Sequence, residues 1–431
     1  MKHASRGSVA APLAALAVVL SAGVARADAL DIFGAGFEGR SMAGARTALD
    51  VSGAAAYYNP ANLAMATAPR LDLTVSSFNS SLNYNSQNAG GEEFAGAELG
   101  MVLPLRGLLK GAAVGIYGFF PTDDLGHVVA RDVDSPQFLQ AGQIHRFALF
   151  AGLAYKLGPV AAGVGVQVLD SATGSLNLTT DEAAATVGQR TLQLDLVPTA
   201  APVFGLSVDA LPFLRIGASY RGAGDVETQL PSNVSLGPLG IQLILDALTY
   251  WRPPTWSAGV GYHSKWLSAD LDFSYLQWSQ IPDPTLSAGV VTTSNLLPPL
   301  KSAPVQCTAG SGLCLQDTPA FRVGVDVPLP LGFAVLAGYS YDPTPVPSQT
   351  GPSNILDNDR HRLGLGASYS FADPLGLASG PVTLGVAMEY EAMVNRTVQK
   401  TDPLDFYGDA TYGGSLLTVG GTITMRFGDT P

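Results

Sequence analysis

GRSMAGARTALDVSGAAAYYNPANLA, residues Gly39 to Ala64, decides how the rest of this chain is read. Small residues and Asp50 lead into Tyr57-Tyr58 and then Asn59-Pro60-Ala61. The right half is rich in helix formers, and Pro60 would end any helix there, because it lacks an N–H and crowds the preceding turn. A short, small-faced helical segment closed by an Asn-Pro turn is predicted. The chain beyond this turn reads as β-strand, so the segment is expected to be a compact plug packed inside something made of strands.

Upstream lies a three-part secretion signal. Lys2, His3 and Arg6 form its basic part, Ala10 to Val24 its apolar core, and Ala25-Arg26-Ala27 a small-x-small cleavage site. Residues 1–27 are expected to be removed on export. A membrane anchor is the alternative, but the apolar run is short for a span of roughly 20 residues. The formal charge is −12, and losing Lys2, Arg6 and Arg26 makes it more negative. So acidic a chain is a poor partner for nucleic acid.

Only 13% of the residues are charged, about half the usual share, while 49 are glycine. No stretch beyond the signal is apolar enough for a spanning helix. In lipid, backbone polar groups are satisfied only by helices or closed barrels, so a barrel is predicted. The alternation supports it. Trp256, Ala258, Val260 and Tyr262 would face lipid while Ser257, Gly259, Gly261 and His263 face inward. Leu214, Ile216, Ala218 and Tyr220 form another outward stripe, as do Leu363, Leu365, Ala367, Tyr369 and Phe371, and Val382, Leu384, Val386, Met388 and Tyr390.

Strands are predicted near 70–83, 94–104, 111–120, 142–156, 159–172, 189–208, 213–227, 253–264, 267–280, 319–328, 332–342, 359–371, 381–394 and 414–427. Alternate connections are short and the others mostly long, the asymmetry of an outer-membrane barrel. The fold class is thus all-β: a 14-stranded antiparallel barrel (69–431) with an N-terminal hatch (28–68). A soluble β-sandwich is the competing fold and explains the low charge less well.

The hatch resembles that of the FadL family of outer-membrane proteins, which take up long-chain fatty acids and other hydrophobic molecules. Ser41, Gly44, Ala45, Asp50, Tyr58, Asn59, Pro60, Ala61 and Leu63 fit the family pattern, with Ala43 where Gly is more usual. Tyr220–Pro231 and Leu356–Phe371 are similar to later family segments. The resemblance implies fourteen strands, a plugged lumen, barrel assembly in the outer membrane of a Gram-negative bacterium, and no cofactor. A monomer is expected. It also implies that the N-terminal segment contributes to a ligand site, placed here at Ile32, Phe33, Phe37, Phe119 and Phe120. In the family a kink in the third strand opens the wall sideways. Gly115, Gly118 and Pro121 could let pairing lapse there, since Gly weakens a strand and Pro removes a ladder donor. An ordinary strand ending in a turn stands as the alternative.

Other chemistry is thin. Cys307 and Cys314 are expected to form one disulfide in an exported chain, since no His or carboxylate lies between them to suggest a metal site. Gly34–Gly39 spells GxGxxG, but no strand precedes it, as a dinucleotide site requires. A hydrolase of the outer-membrane phospholipase type would need a serine in a nucleophile context beside His145 or His263, and none is recognisable. Arg215, Arg221, Asp270, Asp272, Arg322, Asp326, Arg362, Glu389, Glu391 and Arg426 fall on the inward stripe, where they can seat a plug through Arg40, Arg46 and Asp50. Uptake of hydrophobic molecules, fatty acids first, is therefore expected. An aromatic-hydrocarbon channel is the alternative within transport, and a structural or receptor barrel the rival class. Ligand is expected to gather first at the apolar loop Leu236–Trp251.

Overall fold

The structure is a computed structural model. It describes residues 29–91, 93–122, 137–139, 147–181, 186–236, 239–281, 286–292, 300–301, 314–351, 355–376, 378–403, 405 and 407–427. Three short helices come first: α1 (Ala29–Phe33), α2 (Gly36–Ser41) and α3 (Ala55–Tyr58), then a 3-10 helix at Pro60–Met65. Asn59 is extended, and its side-chain oxygen accepts from the Ala61 N–H. The Asn-Pro step therefore ends α3 and caps the next turn.

The barrel strands are β1 (Arg70–Tyr84), β2 (Glu93–Pro104), β3 (Ala112–Pro121), β4 (Ala148–Leu157), β5 (Val160–Asp181), β6 (Thr186–Leu211) and β7 (Leu214–Arg221). They continue as β8 (Thr255–His263), β9 (Ser268–Leu276), β10 (Thr318–Pro328), β11 (Phe333–Asp342), β12 (Arg360–Ala372), β13 (Pro381–Val398) and β14 (Ala410–Arg426). Each pairs antiparallel with the next, and β14 returns to β1 from Arg70 opposite Arg426 to Tyr84 opposite Tyr412. The cylinder is closed, so no sheet edge is left in its wall.

The faces alternate as the pleat demands. Trp256, Val260 and Tyr262 are exposed on the outside, as are Leu384, Val386, Met388 and Tyr390, while Asp270, Asp272, Arg362, Glu389 and Glu391 are buried within. Val382 departs from the expected outward stripe and is buried. Aromatic pairs stud the outer surface, among them Phe213 with Tyr262, Tyr220 with Trp256 and Phe333 with Tyr369. Such girdles mark the two edges of an apolar band.

Two features differ from expectation at the long-loop end. The stretch predicted as an apolar loop around Leu236–Trp251 is a strand, Leu239–Arg252, paired with Gly224–Leu236 in a hairpin. β5 and β6 also run on together as far as Asp181 opposite Thr186, well past the predicted 172 and 189.

Candidate functional site

The helices lie inside the cylinder, and the signature residues fix them there. Asn59 Nδ2 donates to Thr47 O at 3.0 Å, to Leu206 O at 3.2 Å and to Ser207 Oγ at 3.0 Å. Ser207 Oγ donates to Asn62 Oδ1 at 2.6 Å. The Pro60-Ala61 backbone lies against Gly163 and Gly205 of the wall, where an added Cβ would run into it. Glycine is required there by close approach, the reason for much of the inward glycine stripe. Asp50 acts within the hatch: its Oδ1 accepts from Ser52 N at 2.8 Å and Ser52 Oγ at 2.7 Å, and it ion-pairs with Arg46 at 3.5 Å. The Tyr58 hydroxyl accepts from Ala35 N at 2.8 Å, and burial pushes its pKa up, so it stays protonated.

The inward charges form the rest of the seat. Asp272 Oδ2 accepts from Arg46 N at 2.8 Å and Thr47 N at 2.9 Å, and Asp270 Oδ2 from Leu49 N at 3.0 Å. Arg40 pairs with Glu98, which also accepts from Gly36 N at 3.1 Å. Arg362 bridges Asp342 and the Ile32 carbonyl. Glu38 pairs with Arg70 at 2.6 Å. Burial alone would raise the Glu38 carboxyl, but the Arg70 and Arg46 guanidiniums outweigh it and hold it down at about 2, below its ordinary 4.5. A lowered folded value means that the contribution of Glu38 is fully present above pH 4.5 and is lost as pH falls towards 2. The protection of residues 36–41 against hydrogen exchange, taken relative to their intrinsic rates at each pH, should accordingly fall across that window in the wild type, and Glu38→Gln should flatten the dependence.

On the long-loop side of the hatch is a cavity of about 840 Å³, counting its open mouth. Leu30, Gly34, Tyr57 and Tyr58 of the hatch line its floor, Trp251, Leu276 and Trp278 its upper wall, and Arg221, Arg252, Arg322, Arg360 and Arg362 its sides. Asp342 is the one acidic residue among the described lining groups. The cavity is therefore amphipathic: indole and aliphatic surface towards the loops, guanidinium groups towards the plug. Arg221 also stacks over the Tyr57 ring at 4.2 Å.

The residues predicted to bind ligand do not line this cavity. Ile32, Phe33 and Phe119 belong to one buried cluster, in which Phe33 meets Phe78 at 5.1 Å and Phe78 meets Phe119 at 5.6 Å. Phe37 sits apart, against Met42 and Leu336. Phe120 is on the outer face, 5.3 Å from Phe147, because neighbours in a strand point to opposite sides. The arginines and tryptophans of the cavity are not a site that the sequence predicts. Their one signal is that Arg221, Arg322 and Arg362 share the inward parity near the long-loop ends of their strands.

Among the described residues no lapse of pairing is seen at Gly115 or Gly118, where an ordinary strand stands as the alternative. β3 pairs with β2 from Ala113 to Pro121 and with β4 from Ala112 to Phe119, through Gly115 and Gly118 without a register shift. Gly115 instead leaves room for the Leu63 side chain of the hatch, and Gly118 for the Phe120 ring. Cys314 is disulfide-bonded, and Cys307, the chain's other cysteine, lies outside the described residues.

Solved structures share this architecture. A FadL homologue from Pseudomonas aeruginosa superposes with a TM-score of 0.60 at 14% identity, over 91% of this chain and 98% of its own. The chain has the FadL fold. The toluene transporters TodX of Pseudomonas putida and TbuX of Ralstonia pickettii give TM-scores of 0.59 and 0.54, each at 15% identity, over 93% of this chain and 100% of theirs. In sequence, this FadL-type barrel is similar to alkane uptake protein A of Marinobacter nauticus, 24% identical over a 404-position alignment that covers 86% of this chain and 85% of that protein. No family model matches the sequence.

Proposed function

We propose that the chain is a Gram-negative outer-membrane channel for passive uptake of hydrophobic small molecules, with long-chain fatty acids as its first substrates. Residues 1–27 serve as the export signal, 28–68 as the hatch, and 69–431 as the barrel. The relatives named for alkane and toluene transport support the general reading. The cavity above the hatch carries the particular one. An alkane has no use for guanidinium groups and an arene can only lay its face on one, whereas a fatty acid places its carboxylate on them and its chain against Trp251 and Trp278. Apolar burial at roughly 25 cal/mol per Å² supplies the affinity, and the concentration gradient supplies the direction.

Binding to the detergent-purified protein tests this. Oleate should bind more tightly than hexadecane or toluene. Arg360 is suited to substitution because its one ion pair among the described residues, to Glu391, is long at 3.9 Å. Arg360→Gln should weaken oleate roughly tenfold, the worth of one charge-assisted hydrogen bond, and leave hexadecane unchanged. Equal loss for both ligands overturns the acid-headed reading. Absence of labelled-oleate uptake in a transport-deficient host would favour the receptor barrel.

A further inference from the structure

The two parts of the hatch lean on different stretches of the wall, the backbone of each pressed on wall glycines: Met42-Ala43 on Gly338 and Gly364, Pro60-Ala61 on Gly163 and Gly205. Residues 46–65 are tied to β5–β9: Asp270 and Asp272 take up the amides of Arg46, Thr47 and Leu49, and Ser207 joins Asn59 and Asn62. Residues 29–45 lean on the other side of the lumen, through charged groups of β1, β2 and β12. Among the described residues no backbone–backbone bond joins one half to the other. The bonds across the seam run to side chains instead. Tyr57 Oη donates to Leu30 O at 3.1 Å, and Tyr58 Oη accepts from Ala35 N at 2.8 Å and donates to Ala35 O at 3.3 Å. Arg46 Nη1 also reaches the Met42 sulfur at 3.7 Å, the Arg46 charge acts on Glu38, and apolar side chains of both halves share one buried cluster.

The backbone changes character where the halves meet. Ala43 and Gly44 are consecutive left-handed residues, with φ of 49° and 81°. A non-glycine residue with positive φ is strained, and two left-handed residues in succession make a corner rather than a continuous helix. The cavity floor straddles this seam, with Leu30, Gly34 and Gly44 from one half and Thr47, Tyr57 and Tyr58 from the other. A molecule that reaches the floor thus touches the two tyrosines that hold the seam shut.

We propose that Tyr57 and Tyr58 are positioning residues for uptake: their hydroxyls latch residues 29–45 onto 46–65, and the hatch opens by swinging 29–45 about Ala43-Gly44 while 46–65 stays docked on β5–β9. This rests on the uptake reading for its purpose, and the test reads the hatch rather than transport. In hydrogen exchange on the full-length mature barrel in detergent, wild-type residues 29–45 should exchange faster than 46–65. The Tyr57→Phe/Tyr58→Phe double variant, which removes the hydroxyls and keeps the rings, should speed 29–45 by roughly tenfold and leave 46–65 and the strands unchanged. Acceleration of both halves together, or of neither, overturns the proposal. Should the double variant fail to assemble, the wild type decides: equal exchange in the two halves means that the hatch moves as one body.

Discussion

Replacing Glu98 by alanine is expected to unseat the hatch and turn a plugged barrel into an open pore. Glu98 and Arg40 are 3% and 1% exposed, and each is the other's ion-pair partner. Without the carboxylate, the guanidinium keeps Ser76 Oγ at 2.7 Å and the Phe78 ring at 5.2 Å, and of charged groups the Glu389 carboxylate, with which it forms no ion pair. Breaking one side of a buried pair costs about 3–5 kcal/mol, mostly for the stranded charge. The Tyr117 hydroxyl loses its acceptor as well, while Gly36 N keeps the Tyr117 oxygen at 2.7 Å. The cylinder is closed by its own ladder from β1 round to β14 and does not depend on this pair. The penalty therefore falls on docking of residues 29–45, where it shifts the docked fraction by two to three decades, roughly 1.4 kcal/mol each. Planar-bilayer recordings should show a quiet wild type and a conducting, noisy Glu98→Ala. Glu98→Gln, which keeps an acceptor for the Tyr117 hydroxyl, should fall between them. A quiet Glu98→Ala would mean that the plug is held elsewhere.

The barrel is legible in the sequence because lipid imposes a rule on every second residue. Along β13, Leu384, Val386, Met388 and Tyr390 have to be apolar, and Glu389 and Glu391 can be placed inside with no knowledge of their partners. Where that constraint ends, so does the signal. β5 and β6 remain paired to Asp181 and Thr186, but the predicted ends fall short because between Asp170 and Gln189 the apolar positions thin out, with Leu176 and Leu178 isolated among Ser, Thr, Gly and Asn. Phe120 is a different case. Phe119-Phe120 reads as one aromatic unit in the sequence, although the pleat forbids two successive residues from facing the same lumen. The cavity is hidden for a topological reason. Arg322 and Arg362 lie opposite the same residue, Ser340, and come together only through the registers of β10 with β11 and β11 with β12. Each is visible as an inward charge; their convergence is not.

The hatch signature and the wall glycines make a single fitted surface, and this leads to the second large effect, expected for Gly205→Ala. A Cβ at Gly205 would collide with Asn59 Oδ1, lie 2.7 Å from Ala61 N and 2.9 Å from the Pro60 ring. A flexible side chain could move aside; a backbone amide and a pyrrolidine held by Asn59 cannot. Overpacking of this kind costs roughly 1–3 kcal/mol even in adaptable cores, so the 3-10 helix should lift from β5 and β6 and conductance should rise. Gly421 is the control. It lies on the exposed outer side of β14, and the nearest atom to an added Cβ is Gly385 O at 4.0 Å. Gly421→Ala relieves the conformational freedom of a strand glycine without meeting anything, so it should stay quiet and at least as heat-resistant as the wild type. The comparison separates two reasons for an inward glycine stripe. If Gly205→Ala conducts and Gly421→Ala does not, the stripe is a mould for the plug. If both are quiet, Asn59-Pro60-Ala61 does not press on the wall, and the seat must be carried by its hydrogen bonds and ion pairs, from Ser207 and the carboxylates of β9 to Glu98, Arg70 and Arg362.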